Sequence, residues 1–369
     1  MAALHLVAIE KVQPGMRVAQ PVFDSNGNLL IQQGVALTER YITRLAWRGI
    51  TSLYVYNEGI SNLNLKVDDV IRVETRLRAI RTVKKLMSQV SVGECFSDQE
   101  VKEIIENIVD EILHHEDVVV NLSDIRAKQD YHFGHSVGVC VLSLLAGVIL
   151  GFDRERLKRL GEAAILHDLG KVFVPSEILE KPGPLSSAEM AEVRRHTWLG
   201  FRALYQCSTL GPDPAQVALT HHERYDGKGY PLGLAGDEIP EFARIVALAD
   251  VFDALVTDRV YRRHYLPYEA VEILTAETGT HYDPKIARAF LYNIAPYPVG
   301  SHVSLNTGEL GVVTKVCRGW GVRPIVTVIR DAEGRPLRDP YQIDLRFAPT
   351  VFIVDLVQDQ VPVRRAGAG

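Results

Sequence analysis

Histidines and aspartates that could bind a metal are concentrated in the middle of this chain. Six of the twelve histidines fall between His132 and His222, and aspartates accompany them. Imidazole and carboxylate ligands together suit iron, manganese, nickel or zinc. Because no cysteine belongs to the set, a structural zinc site is not expected. The candidate metal ligands are His135, His167, Asp168, His196, His221, His222 and Asp250.

The adjacent pair His167-Asp168 indicates how such a set could be organised. A carboxylate has two oxygens, so Asp168 could bridge two cations roughly 3.5–4 Å apart while His167 binds one of them. A hydroxide shared by two cations is a nucleophile at neutral pH, and the cations offset charge on a phosphoryl oxygen. The pattern therefore predicts two-metal chemistry on a phosphate ester, with Asp168 as a catalytic residue.

Long motifs surround these candidate ligands. The sequence reads HDLGK from His167 to Lys171, HHERYDGKGYP from His221 to Pro231 and RIVALADVFDA from Arg244 to Ala254. Over residues 131–290 the chain resembles the HD-GYP domain, a subgroup of the HD superfamily of metal-dependent phosphohydrolases. Shorter matches are His135-Ser136, Lys181-Pro182-Gly183, His196 with Gly200, Asp258-Arg259 and Tyr261-Arg262.

The resemblance implies an activity and a division of the ligands. The implied reaction is hydrolysis of cyclic di-GMP, a bacterial second messenger, to the linear dinucleotide pGpG and often onward to GMP, so either could be the final product. The implied ligands form two sets that share Asp168: His135, His167, Asp168 and Asp250 at one metal, and Asp168, His196, His221 and His222 at the other.

The resemblance also implies contacts with the substrate. Lys171 would contact the scissile phosphate as a catalytic residue, and Arg244 would help to seat the ligand. The loop that ends in Gly-Tyr-Pro would contribute Asp226, Gly229, Tyr230 and Pro231.

One position departs from part of the family. Some members have a glutamate four residues before the first histidine of the site, and that carboxylate supports a third metal. Here the position is Tyr131, a poor ligand while it is protonated near pH 7. We therefore expect two divalent transition metal ions, with iron or manganese favoured and nickel or zinc as alternatives. Asp130 and His132 lie beside it, so a third metal is disfavoured rather than excluded.

Other interpretations of these residues stay open. Lys171 could be an ordinary surface lysine, and Arg244 could form a structural ion pair. The protein could be a cyclic-dinucleotide-binding sensor with slow or no turnover that signals through its flanking domains. A different HD phosphohydrolase acting on mononucleotides is disfavoured, because Tyr230 could stack on a base. Structural or surface roles are expected for His114, His115, His132, His264 and His281.

The patterning around the site predicts three regions. Strand and turn signals with one helix over 37–48 indicate a small α+β module over residues 1–62. Helical periodicity over 63–295, with helix starts near Ser97, Asp153 and Ser186 or Ser187, indicates a central all-α HD-type helical bundle. Residues 296–369 return to β patterning and end in a frayed tail, so a small β-rich C-terminal domain is predicted.

Composition excludes some partners and leaves others open. The net charge of −5 argues against binding DNA, RNA or a membrane surface through bulk electrostatics. The longest nearly apolar run, Val137 to Phe152, has 16 residues, fewer than the about 20 of a membrane span, so it is predicted to be a core helix. A cyclic dinucleotide is the expected partner. A homodimer through helices around 67–90, and a protein partner bound by the terminal modules, stay open.

Cysteine usage predicts the compartment. Cys95, Cys140, Cys207 and Cys317 are scattered with no CxxC pair, so they are interpreted as buried thiols of a reducing compartment. No signal sequence is recognised at the start of the chain. We therefore predict a cytoplasmic protein.

Overall fold

The computed structural model of this chain describes residues 3–23, 29–48, 50, 52–57, 70–114, 131–181, 183–207, 209–256 and 265–357. Its elements follow the predicted order, with a small α+β region, a helical region and a C-terminal antiparallel sheet. The predicted fold class is therefore confirmed.

The first region is a small α+β module with its own core. Leu37, Leu45 and Leu53 are buried within it. The helix predicted over 37–48 is confirmed. Strand β1 pairs antiparallel with β4, and β2 pairs with β3. The elements are β1 (Ala3–Ala8), β2 (Val22–Phe23), β3 (Leu29–Ile31), α1 (Glu39–Trp47) and β4 (Ser52–Asn57).

The helical region holds the largest hydrophobic core of the described residues. Two short 3-10 turns, Leu169–Phe173 and Gly236–Glu238, interrupt the helices. In chain order the helices are α2 (Val73–Ser91), α3 (Asp98–His114), α4 (Tyr131–Ile149), α5 (Arg154–Ile165), α6 (Ser176–Leu179), α7 (Ser187–Arg194), α8 (His196–Cys207), α9 (Asp213–Thr220), α10 (Glu241–Val256), α11 (Pro267–Ala276) and α12 (Pro284–Leu291).

Helix α4 lies at the centre of this core because its sequence is apolar on every side. Residues 134–147 are all buried, and α4 packs against α5 and α10. A helix that is hydrophobic all round belongs in an interior, so the predicted core helix is confirmed. Within the described ranges, no helix has both the length and the apolar character needed to cross a membrane. The packing of α4 carries His135 into the interior.

Local signals set the helix starts near the site. The Asp153 carboxylate accepts the N–H of Arg156 and caps α5. Ser186 and Glu189 form a capping box that begins α7. The predicted starts at these two positions are confirmed. Helix α7 leads directly into α8, whose first residue is His196.

Two glycines let the turn after Asp168 approach α8 closely. A Cβ at Gly170 would lie 1.9 Å from the carbonyl oxygen of His196, and a Cβ at Gly200 would lie 3.1 Å from the Gly170 nitrogen. No side chain fits at position 170 without moving this backbone. The contact brings Asp168 beside His196.

The C-terminal region is a five-stranded antiparallel sheet in the order β8-β7-β6-β5-β9. It meets the helical region through Asn293, whose Oδ1 accepts the Nε–H of Arg318 and whose Nδ2 donates to the carbonyl of Leu145. The sheet is thus tied to α4 through one buried amide. Its strands are β5 (His302–Leu305), β6 (Leu310–Lys315), β7 (Ile325–Arg330), β8 (Pro336–Asp344) and β9 (Ile353–Leu356).

The interpretation of all four cysteines as buried thiols is wrong. Cys95 and Cys207 form a disulfide across 112 residues of sequence, and Cys317 is only partly buried. Cys140 alone matches the prediction. Spacing could not show the pairing, because it depends on the loop after α2 meeting the end of α8. Cysteine usage therefore lends no support to the cytoplasmic assignment.

Candidate active site

Five helices and the turns after them bring the predicted metal ligands together. His135 comes from α4, and His167 and Asp168 follow the end of α5. His196 begins α8, His221 and His222 follow α9, and Asp250 lies in α10. All seven are buried except His222, which is partly exposed. We call this set of seven side chains the metal floor.

The metal floor divides into two groups of ligand atoms. One group consists of His135, His167 and Asp250, and the other consists of Asp168, His196, His221 and His222. Within each group the ligand atoms lie within 4.8 Å of one another. Each group has the donor set of a transition metal site.

Asp168 lies between the two groups and faces both. Its Oδ1 is 3.5 Å from Nε2 of His196 and 3.7 Å from Nε2 of His221. Its Oδ2 is 3.4 Å from Nε2 of His167 and 3.8 Å from Nε2 of His135. One oxygen is therefore directed to each group, which is the arrangement a bridging carboxylate needs.

Hydrogen bonds at Nδ1 orient the buried imidazoles. Nδ1 of His167 lies 2.7 Å from the carbonyl oxygen of Ala164, and Nδ1 of His196 lies 2.6 Å from that of Val193. His221 makes the same kind of contact with Val217. Since a carbonyl oxygen only accepts, each Nδ1 must carry the proton. The lone pair is left on Nε2, which faces the other ligands.

His135 is oriented by a carboxylate instead. Its Nδ1 donates to Oδ2 of Asp253 at 2.7 Å, while its Nε2 lies 2.9 Å from Oδ1 of Asp250. Asp253 is buried three residues after Asp250 in α10. The sequence analysis missed this role, although the i, i+3 spacing of the two aspartates within the third motif was a usable signal.

Protonation states in the metal floor suit metal binding. Burial, together with the neighbouring imidazoles, holds the pKa of His221 well below its ordinary value. Burial likewise lowers the pKa of His222, to about 3. Burial alone would raise the pKa of Asp168, but the nearby Lys171 ammonium and imidazoles hold that pKa well below its ordinary value. Neutral imidazoles and an ionised carboxylate are the forms that bind cations.

Two buried atoms in the floor show that it fits metal ions. Among the described residues, Nε2 of His167 and Oδ1 of Asp168 are buried without a hydrogen-bond partner. Leaving buried polar atoms unsatisfied is costly. A cation coordinated by these atoms would remove that cost, so the residues present fit a metal centre.

The loop after His222 forms one side of the site. The Tyr230 ring stacks on the His222 ring with centroids 4.8 Å apart, and the N–H of Tyr230 donates to the carbonyl oxygen of His222. A Cβ at Gly229 would lie 2.3 Å from the Arg224 nitrogen, so glycine is needed there. Burial raises the pKa of Tyr230, and the Asp250 and Asp168 carboxylates add to this rise. The phenol is therefore neutral.

Glu223 holds the loop in place and was also missed. Its buried carboxylate accepts the N–H groups of Leu232, Gly233 and Leu234. The signal was present, because Glu223 follows the His221-His222 pair in the second motif. An acidic side chain there can reach the backbone of the loop that it precedes.

The other residues predicted to contact the substrate differ in their partners within the protein. Lys171 pairs with Asp168 and thus lies at the metal floor. The Asp226 carboxylate is paired with Arg224 and accepts the N–H of Lys228, so it shapes the loop. Pro231 follows Tyr230 in the same loop.

Arg244 makes contacts that support the structural alternative. Its guanidinium lies 2.7 Å from Asp237 and 2.7 Å from Asp283, and Asp283 caps α12. This pairing ties α10 to α12. Of the histidines assigned other roles, His281 pairs with Glu277 and His114 contacts the Asp110 carbonyl. His115, His264 and the motif residues at 258–262 lie outside the described residues, as do the side chains of Tyr131 and His132.

Family comparisons agree with this geometry. A family model described as an HD domain matches residues 122–286, the segment that carries the whole metal floor. This segment belongs to the HD domain family. A second model, a KOW domain associated with the HD domain, matches residues 302–361. The HD-type domain recognised from the motifs is therefore confirmed.

Relatives of the HD domain are named as phosphodiesterases. A cyclic di-GMP phosphodiesterase of Pseudomonas aeruginosa is 35% identical over 257 residues, covering 69% of this chain and 62% of the relative. A probable cyclic di-GMP phosphodiesterase of Vibrio cholerae is 46% identical over 137 residues, covering 35% and 31%. A 3'3'-cGAMP-specific phosphodiesterase of Vibrio cholerae is 40% identical over 162 residues, covering 44% and 35%. This chain thus spans between 31% and 62% of these relatives' lengths.

Proposed function

We propose that this chain is a metal-dependent phosphodiesterase that hydrolyses cyclic di-GMP, with either pGpG or GMP as the final product. The observation that carries the proposal is the position of Asp168, with Oδ1 toward one ligand group and Oδ2 toward the other. The names of the relatives supply the substrate class. The conclusion rests on both, because a fold alone hosts many activities.

The proposed cofactor is a pair of divalent transition metal ions, with iron or manganese favoured. One ion would be held by His135, His167, Asp168 and Asp250. The other ion would be held by Asp168, His196, His221 and His222. When bound, such ions supply Lewis acidity toward a phosphoryl oxygen and lower the pKa of a water molecule.

The chain's own residues would orient the substrate. Lys171 pairs with Asp168, and from there its positive charge would stabilise a non-bridging oxygen of the scissile phosphate. The Tyr230 ring lies at the edge of the metal floor between His222 and the Arg194 guanidinium, so a guanine could stack on it once that guanidinium moves aside. Glu223 holds this loop ready before the ligand arrives, so little ordering is required on binding.

The decisive experiment measures metals and turnover on the same preparation. Protein purified under anaerobic conditions would be assayed for metal content by mass spectrometry and for cyclic di-GMP hydrolysis, with His167→Ala/Asp168→Ala as the inactive control. We expect about two metals per chain, and hydrolysis that the double variant lacks. A metal-loaded protein inactive on every cyclic dinucleotide would contradict the proposal.

Two other candidates are separated by the same assay. Because one relative is a 3'3'-cGAMP-specific phosphodiesterase, the hybrid dinucleotide belongs in the substrate panel. Tight binding of cyclic di-GMP by metal-loaded protein without turnover would instead favour a sensor. In that case the terminal regions would be probed for a protein partner, and the oligomeric state for a homodimer.

A further inference from the structure

An arginine lies over the aromatic ring at the edge of the metal floor. The guanidinium carbon of Arg194 is 4.7 Å from the centroid of the Tyr230 ring. The same ring also stacks on the His222 imidazole, with ring centroids 4.8 Å apart. Arg194, Tyr230 and His222 thus form a continuous stack that leads from the exposed surface to a metal ligand.

Arg194 differs from the other cations around the site because it has no carboxylate partner among the residues that the structure describes. Arg244 pairs with Asp283, and Arg224 pairs with Asp226. In the part of the chain that the structure describes, no ion pair involves Arg194. Within the described ranges, its positive charge is therefore not neutralised by a carboxylate.

The backbone of Arg194 is fixed relative to the metal floor. Arg194 is the last residue of α7, and its carbonyl oxygen accepts the hydroxyl of Thr197 at 3.0 Å. The preceding carbonyl, that of Val193, holds Nδ1 of His196. The junction that positions a metal ligand therefore also positions the arginine.

We propose that Arg194 binds the second phosphodiester of a cyclic dinucleotide, the one that is not being cleaved. This inference rests on the proposed function. A cyclic dinucleotide carries two phosphodiester groups, and only one can lie at the metals during cleavage. The other keeps its negative charge and needs a cation nearby. A guanidinium suits it because two of its N–H groups can donate to two phosphate oxygens.

The neighbouring arginine provides a matched control. Arg195 is also exposed, but it pairs with Glu192 at 2.8 Å. We expect Arg194→Ala to raise the KM for cyclic di-GMP about 10–100-fold, the usual range for losing a hydrogen bond to a charged group, with kcat changed less than about threefold. Arg194→Lys should recover only part of the loss, since lysine keeps the charge without the paired donors. Arg195→Ala should match the wild type.

A substrate with a single phosphodiester tests which phosphate is recognised. Arg194→Ala should lower kcat/KM much less for bis(p-nitrophenyl) phosphate than for cyclic di-GMP. The fold-loss on the first substrate should be at least about tenfold smaller than the fold-loss on the second. Equal losses on the two substrates, or a loss in kcat alone, would overturn the assignment. So would an unchanged KM for cyclic di-GMP.

Binding separates this inference from the proposed function. Calorimetry with cyclic di-GMP would compare metal-loaded wild type and Arg194→Ala, and the variant is expected to bind about 10–100-fold more weakly. If the wild type binds but does not hydrolyse, the proposed function fails while this comparison still decides the role of Arg194. If the wild type neither binds nor hydrolyses, both fail together.

Discussion

The metal floor and the rim above it are held in place in different ways. The floor is buried apart from the partly exposed His222, and four of its five imidazoles are fixed by nearby backbone carbonyl oxygens or by Asp253. The rim, which comprises Arg194 and the loop 226–231, is partly exposed. The residues directly after its loop, Leu232, Gly233 and Leu234, are fixed by N–H groups that donate to the Glu223 carboxylate. A preformed floor suits metal binding, whereas an accessible rim suits substrate binding.

This contrast predicts two classes of variant. Substitutions in the floor should lower metal content and kcat together. Substitutions in the rim should raise KM while metal content stays unchanged.

The largest effect is expected for Asp168→Asn. Removing one electrostatic group from an active site costs about 10²–10³ in rate, and this carboxylate faces both ligand groups. We therefore expect a loss of about 10³-fold or more in kcat/KM and at most one metal per chain, measured by mass spectrometry. Asp339→Asn, at an exposed aspartate of β8, is the control. A variant with two metals and full activity would break the distinction between floor and rim.

The second largest effect is expected for Asp253→Asn. Asp253 is not one of the predicted ligands but hydrogen-bonds to one of them, His135. Asparagine keeps the shape but loses the charge that holds the Nδ1 proton of His135. Outer partners of metal-binding histidines typically contribute 10–100-fold in metal affinity. Titration of the metal-free protein with Mn²⁺ should show about that loss. Affinity equal to that of Asp339→Asn would mean that Asp253 only packs α10.

Gly229→Ala should affect the rim alone. The new Cβ would lie 2.3 Å from the Arg224 nitrogen, so the loop must shift and carry Tyr230 with it. We expect the KM for cyclic di-GMP to rise about tenfold, since misplacing a substrate-positioning group by about 1 Å can cost up to 10². Two metals should remain. A fall in metal content would show that the loop also supports the floor.

The smallest effect concerns a buried carboxylate outside the site. Burial raises the pKa of Glu162 in α5 to about 7, from an ordinary value of 4.5, although Lys102 partly counteracts the rise. The folded state therefore favours the protonated form, and wild-type stability should fall as pH rises from about 4.5 to about 7.

Glu162→Gln tests this, because glutamine mimics the neutral acid. The variant should be more stable than the wild type by about 1–2 kcal/mol at pH 8, and the difference should vanish near pH 4. Denaturant unfolding at the two pH values measures it. A difference in stability that stays constant across pH would show that neighbouring groups stabilise the ionised Glu162 carboxylate in the folded state. Asp168, compensated by Lys171 and imidazoles, has a lowered pKa instead.

Motifs and caps were the features that the sequence predicted best. The helix starts at Asp153 and Ser186 depend on contacts within three residues, so they could be read directly. Roles that depend on partners far away in the chain could not be read from the sequence. For Arg244, predicted as a substrate contact with a structural ion pair as the alternative, the partner Asp283 lies 39 residues away and could not be read from the local sequence. The role proposed for Arg194 had no signal in the sequence, because it depends on contact with Tyr230 in a loop that follows later in the chain.

By itself, the sequence determined the types of ligand, the HD-type domain and the three-region layout. These follow from residue chemistry and from periodicities that extend over a few turns of helix. Only the tertiary structure decided which Asp168 oxygen faces which histidines, that Asp253 orients His135, and that Cys95 meets Cys207. Each of these joins residues that are far apart in the chain. Their meeting depends on how α4, α8 and α10 pack, a property of the whole core rather than of any local segment.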